Sequence, residues 1–144
     1  MVGGGTGEIC TPNQHGKTML MGDVLTVSGT TAVSLDSAYL QDERNVRLEA
    51  AWAVPVEPKQ TVVTMGSLED SSMAQGLWAS KHPLAGYEVQ PGGTVNVILE
   101  VEVVDPLLEG STAGMAVEYS SGSRPFVTKA KMAYRFLTTN CVNR

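Results

Sequence analysis

Few side chains in this chain are of types that carry chemistry on their own. Its 144 residues include two cysteines, two histidines and seven methionines. Cys10 and Cys141 lie near opposite ends, and only His15 and His82 stand ready to join them, a spacing that matches no zinc site. A disulfide between the two is expected instead. Closing a loop of nearly the whole chain is credited with roughly 4–5 kcal/mol by the chain-entropy argument. Soft ligands offer a second chemistry: His15, Met19 and Met21, with Met65, Met73 and His82, are of types suited to Cu(I). Met19 and Met21 share a face if their segment is a strand, so an exported copper-binding protein is the alternative reading.

Other arrangements imitate catalytic or nucleotide motifs without completing them. Thr11 to Thr18, TPNQHGKT, ends like a phosphate-binding loop, but Thr11 stands where the first glycine belongs and a β-like stretch follows in place of a helix. Glu100 and Glu102 share a strand face as paired acid/base carboxylates do. Simple alternation places solvent-facing carboxylates in the same way, with Lys129 and Lys131 as expected partners. Serines are plentiful, yet neither histidine sits in a nucleophile motif. The expectation is a chain with no catalytic residue and no cofactor.

Fifteen acidic against ten basic residues give a formal charge of −5, which disfavours nucleic acid as a partner. The charge is uneven: after Glu118 come only Arg124, Lys129, Lys131, Arg135 and Arg144. Lys129, Lys131 and Arg135 form a basic strand face suited to an acidic cell-surface polymer. The competing surface is the long stretch from Gly66 to Gly93, which has no sustained period and contains Trp78, His82 and Tyr87. These three are the candidate binding residues, for an unknown protein or a cell-surface polymer.

The elements that must position them are strands. Thr94 to Val104 alternates Val95, Val97, Leu99, Val101 and Val103 with more polar neighbours, after the turn Gln90-Pro91-Gly92-Gly93. Val46 to Val56 puts Val46, Leu48, Ala50, Trp52, Val54 and Val56 on one face, with Trp52 as a core anchor and Pro55 near the strand end. Thr18 to Val27 is broken or bulged at Gly22-Asp23, and the alternation of Ala32 to Leu40 slips near Asp36-Ser37. Thr61 to Met65 is short and β-prone, following a turn at Pro58-Lys59-Gln60, and Ser71 to Trp78 has room for one helical turn. Met115 to Tyr119 leads through the hairpin signal Ser120-Ser121-Gly122-Ser123 into a returning strand, Phe126 to Phe136. This is an all-β pattern, an antiparallel immunoglobulin-like β-sandwich of about seven strands. Residues 1–16 read as a Gly-rich tether and turn-rich segment, residues 17–144 as one sandwich domain.

The order of a Trp-centred strand, a Pro-Gly turn feeding a long alternating strand, and a final hairpin resembles immunoglobulin-like modules of exported bacterial proteins, over roughly Thr18 to Leu137. The likeness is architectural and transfers no functional residue, since Cys10 and Cys141 flank the strands where antibody-type domains bracket the central Trp. A disulfide implies an oxidising compartment. The reading is a non-enzymatic extracytoplasmic binding or structural module, secreted or held by an anchor outside this chain.

Overall fold

A ten-residue strand, β8 (Thr94–Val103), runs through the centre of the molecule. Gly93 N–H donates to Gln90 O at 2.8 Å, and Gly92 has φ 75°, so the entering turn needs a glycine there. Val95, Val97, Leu99, Val101 and Val103 all point into the main core, none more than 4% exposed. Antiparallel neighbours flank β8: β2 (Met19–Thr26) on one side and β4 (Val46–Pro55) on the other. The short strands β5 (Met65–Ser67) and β6 (His82–Pro83) complete a five-stranded sheet in the order β5-β2-β8-β4-β6. The structure is a computed structural model and describes residues 1, 6–57 and 62–141.

Two further sheets supply the rest of the core. One has the order β11-β10-β3-β7, from β3 (Val33–Gln41), β7 (Glu88–Val89), β10 (Gly114–Ser121) and β11 (Arg124–Lys129). The other has the order β1-β12-β9, from β1 (Thr6–Pro12), β9 (Gly110–Thr112) and β12 (Lys131–Leu137). Leu35, Met115 and Val117 from the first and Tyr134 and Phe136 from the second meet the inner residues of β8 and β2. The protein is an all-β sandwich of packed, mainly antiparallel sheets, as its alternation predicts.

Several local expectations change. The described residues hold twelve strand segments, eight of them six residues or longer, against an expected seven or so. Thr6–Pro12, assigned to the turn-rich start, is a strand, and it pairs with β12 in parallel. Residues 2–5 of the proposed tether, the turn at 58–60, Thr61 and Arg144 lie outside the described residues. The returning strand divides at Ala130: β11 pairs with β10, and after Ala130 the chain leaves for β1 and β9. Phe126 is therefore 42% exposed at a sheet edge and does not join Tyr134 and Phe136 in the interior. The slip near Asp36 is real, because Glu118 pairs with Ser37 and Tyr119 with Leu35, leaving Asp36 extra.

The Gly22-Asp23 interruption has a different cause from a bulge, since β2 pairs with β8 without a shift from Met19 to Thr26. The chain crosses the strand there. A Cβ at Gly22 would lie 2.2 Å from Val63 O, and Gly22 N–H donates to Thr64 O at 2.8 Å. Asn96 fixes the crossing, accepting from Val63 N–H at 2.7 Å and donating to Val63 O and Asp23 O. Asp23 faces inward, 7% exposed, its Oδ1 accepting from Val24 N–H while Oδ2 has no partner among the described residues. Burial raises the Asp23 pKa. Tyr134 Oη donates to Gly22 O at 2.7 Å, and burial together with the Asp23 charge raises its pKa.

Candidate binding site

A bulge in β4 decides where the two tryptophans meet. Leu48 pairs with Val101 but Ala50 pairs with Glu100, so Glu49 is an extra residue and the parity of the strand reverses after it. Leu48 stays with the main core, and beyond the bulge Ala51 and Ala53 join it. Trp52 and Val54 are turned to the outer face, so Trp52 is half-buried there and is not the interior anchor expected from unbroken alternation.

That outer face carries its own small apolar cluster. Leu20, Val54, Val63 and Ile98 are covered by Ala74 of helix α1 (Ser72–Trp78), with Trp52, Leu68, Leu77 and Trp78 around them. The helix forms where the sequence allows one turn. Ser71 Oγ caps it by accepting from Ala74 N–H at 3.0 Å, and Ala74 is its one buried residue.

Trp52 and Trp78 lie edge to face with centroids 6.1 Å apart. Lys81, just after the helix, places its ammonium 4.4 Å from both ring centroids. Trp52 Nε1–H donates to Glu100 Oε1 at 2.7 Å, which fixes the indole. Glu100 also lines a cleft of about 300 Å³, together with Glu49, Glu102 and the loop of residues 13–18.

The loop wall of the cleft is tied down. Thr18 donates its hydroxyl and backbone N–H to Glu69, and Lys17 Nζ reaches Asp70 at 2.8 Å. Thr18 holds the Glu69 carboxyl, and Lys17 the Asp70 carboxyl, below the usual carboxylate range. Of the cleft carboxylates, Glu49 and Glu102 are bridged by Arg47, which lowers the Glu49 pKa. Arg47 thus pairs with two of the three cleft carboxylates, Glu100 accepts from Trp52, and Lys17 is engaged by Asp70.

The predicted site residues separate. Trp78 belongs to this outer cluster, but His82 and Tyr87 lie against each other with their rings tilted by 31°, 5.2 Å between centroids. His82 pairs with inward-facing Ala53 and Pro83 with Trp52, which puts His82 on the other side of the ribbon from the tryptophans. Glu100 and Glu102 are partnered by Trp52 and Arg47 and not by Lys129 or Lys131. In the basic face, Lys129 and Lys131 are exposed, while Arg135 is paired with Glu109 and lies 3.7 Å from Glu8. Met19 and Met21 do share a face, but it is the sealed interior, 2% and 0% exposed, whereas His15 is on the exposed loop. Met65 lies in β5, and Met73 is an exposed helix residue. No group of three or more His, Cys, Asp or Glu side chains among the described residues could hold a metal ion.

The phosphate-loop imitation leads from β1 through a turn into β2, with no helix to receive an anion. Cys10 of β1 and Cys141 are joined in a disulfide, their Cα atoms 6.2 Å apart, as the sequence predicts. No helix among the described residues is long and apolar enough to cross a membrane. Comparison with protein-family models and with curated proteins gave no match. Unbroken alternation put Trp52 on the wrong face and gave no role to Glu49 or Lys81. The available signal was Glu49 itself, a charged residue that a bulge accommodates between Leu48 and Ala50.

Proposed function

We propose that this protein is a non-enzymatic, extracytoplasmic binding module, an immunoglobulin-like sandwich of an exported bacterial protein, that engages its partner through the outer face of the five-stranded sheet. The observation carrying this reading is the half-buried pair Trp52 and Trp78 beside an open, carboxylate-lined cleft. Amphipathic aromatics at the rim of a cleft supply contact area at low entropic cost, and they dominate interface hot spots. The Cys10–Cys141 bridge supports an oxidising compartment. Partners of this class are proteins or polymers of the cell surface.

Backbone amide shift mapping by NMR against solubilised cell-wall polysaccharide, peptidoglycan fragments and a lysine-rich peptide tests the reading. Shifts concentrated in β4, β8, α1 and the loop of residues 13–18 are expected. Shifts confined to Lys129 and Lys131, weakening steeply with salt, would transfer the function to the basic face. No shift with any of the three would remove the support for a surface-binding module.

A further inference from the structure

We infer that the Trp52–Trp78 clamp and the adjoining cleft recognise an alkylammonium chain, and that Lys81 occupies the clamp until such a ligand displaces it. This rests on the outer face being the binding face and names the chemistry it selects.

The clamp already holds an ammonium ion. Lys81 Nζ stands 4.4 Å from both indole centroids, where the negative ring faces attract a cation. Glu100 accepts from Trp52 Nε1–H, adding negative charge at the edge of the same ring. From Glu100 the site continues into the cleft, where Glu49 and Glu102 share Arg47. A linear ligand with one ammonium in the clamp and a second in the cleft gains both sets of contacts. Lys81 can make only the first. Glu49, Glu100 and Glu102 outnumber the one guanidinium that pairs with them, and Lys17 is engaged by Asp70, so the site favours a positively charged ligand over an anionic or neutral one.

Lys81 is therefore a competitor in cis. A ligand meets a clamp free only part of the time, and its apparent affinity falls by that fraction. If Lys81 fills the clamp about nine-tenths of the time, its removal tightens binding about tenfold. The same chemistry comes from two sources, a free polyamine or a lysine side chain on a surface peptide.

Tryptophan fluorescence titration of the whole protein with spermidine, and separately with an acetylated trilysine amide, decides the matter. Saturable quenching is expected with at least one probe, and which probe binds identifies the source. Lys81→Ala should tighten it severalfold, toward the tenfold limit. Lys129→Ala, which changes net charge equally on the opposite sheet, should leave it within about twofold, the scale of a screened distant charge. Glu102→Gln should weaken binding, and Trp78→Ala should abolish the saturable change. Should Trp78→Ala fail to fold, Glu100→Gln, which removes the negative charge beside the Trp52 ring but keeps an oxygen that can accept from Trp52 Nε1–H, carries the same expectation of weakening.

Absence of saturation by either probe in Lys81→Ala overturns the inference, as does equal competition by magnesium, which would show attraction by charge alone. Equal tightening by Lys81→Ala and Lys129→Ala overturns the competitor role. If neither ammonium probe binds while a surface polymer still shifts β4 and β8, the ammonium chemistry falls and the binding face stands. If the polymer shifts only the basic face, both fall.

Discussion

The two faces of β8 show what burial can and cannot do in this fold. On the inner face, Val95, Val97, Leu99, Val101 and Val103 are sealed between sheets, with Tyr134 and Phe136 opposite. On the outer face, Asn96 and Ile98 are equally buried, but under a single short helix and a crossing segment, and the cover ends at Glu100. The inner face is closed because whole strands oppose it. The outer face is closed over only part of its length, and where its cover ends two tryptophans, a lysine and a carboxylate meet solvent. At such a margin apolar area and charge are presented together.

The largest break in this comparison should come from the inner face. Leu99→Ala, fully buried in the main core, should cost about 2–5 kcal/mol in urea unfolding. A loss as small as that of an outer-face substitution would show that the inner layer is not the principal core.

Asn96→Ala comes next. It strips the buried Val63 N–H of its acceptor and Val63 O of its donor, at about 1–3 kcal/mol for polar groups left unpaired in the interior. Because that crossing segment covers Leu20 and Ile98, amide exchange should accelerate in residues 62–67 before it does in β8. Uniform acceleration throughout the sheet would contradict the view that the outer cover is a separable layer.

Trp52→Ala and Trp78→Ala should then give similar, intermediate losses. Their double-mutant cycle should return a coupling of about 0.5–1.5 kcal/mol for an aromatic pair. A loss for Trp52→Ala of the size expected for a fully buried tryptophan, without coupling to Trp78, would place Trp52 back in the inner core.

The smallest effect sharpens the comparison through pH. The Asp23 pKa is raised by burial, so the folded state holds its proton more tightly than the unfolded chain does. The Asp23 contribution should therefore improve as pH falls through the raised folded value toward the ordinary 3.8, and should be lost as pH rises through the same window. Glu69 and Asp70 on the outer face have lowered values, so their contribution is present above the ordinary range and fades as pH falls through the folded values. Comparing the pH dependence of thermal unfolding in Asp23→Asn and the parent isolates what Asp23 contributes. Asp23→Asn, which removes the buried charge but keeps a polar group at the same position, should be more stable than the parent near neutrality, with the gap closing as pH falls through the raised value. Loss of stability in the variant across the whole pH range would mean that the ionised carboxylate has a favourable partner.

Much of the sandwich was legible from alternation, because every inner residue of β8 obeys a period of two and its entry turn carries Pro91 and Gly92. The bridge between Cys10 and Cys141 was legible too, since only one pairing exists. The site was less so. Trp78 could be singled out as an aromatic in an irregular stretch, but its partner was assigned to the wrong face, because one extra residue at Glu49 inverts everything after it. Gly22 showed a comparable ambiguity: a pause in the pattern that marks a crossing chain looks the same in sequence as a bulge. The parallel pairing of β1 with β12 depends on where the chain goes after Ala130, and strand periodicity carries no such information.

Everything proposed for the outer face depends on the direction in which Trp52 points, and a nuclear Overhauser spectrum of the folded protein measures that directly. Cross-peaks from the Trp52 indole to Trp78 and to the side-chain methylenes of Lys81, the latter shifted upfield by the two rings, are the predicted result. Cross-peaks from Trp52 to Leu35, Met115 or Val117, with Lys81 methylenes at ordinary positions, would put the indole in the main core and contradict the account.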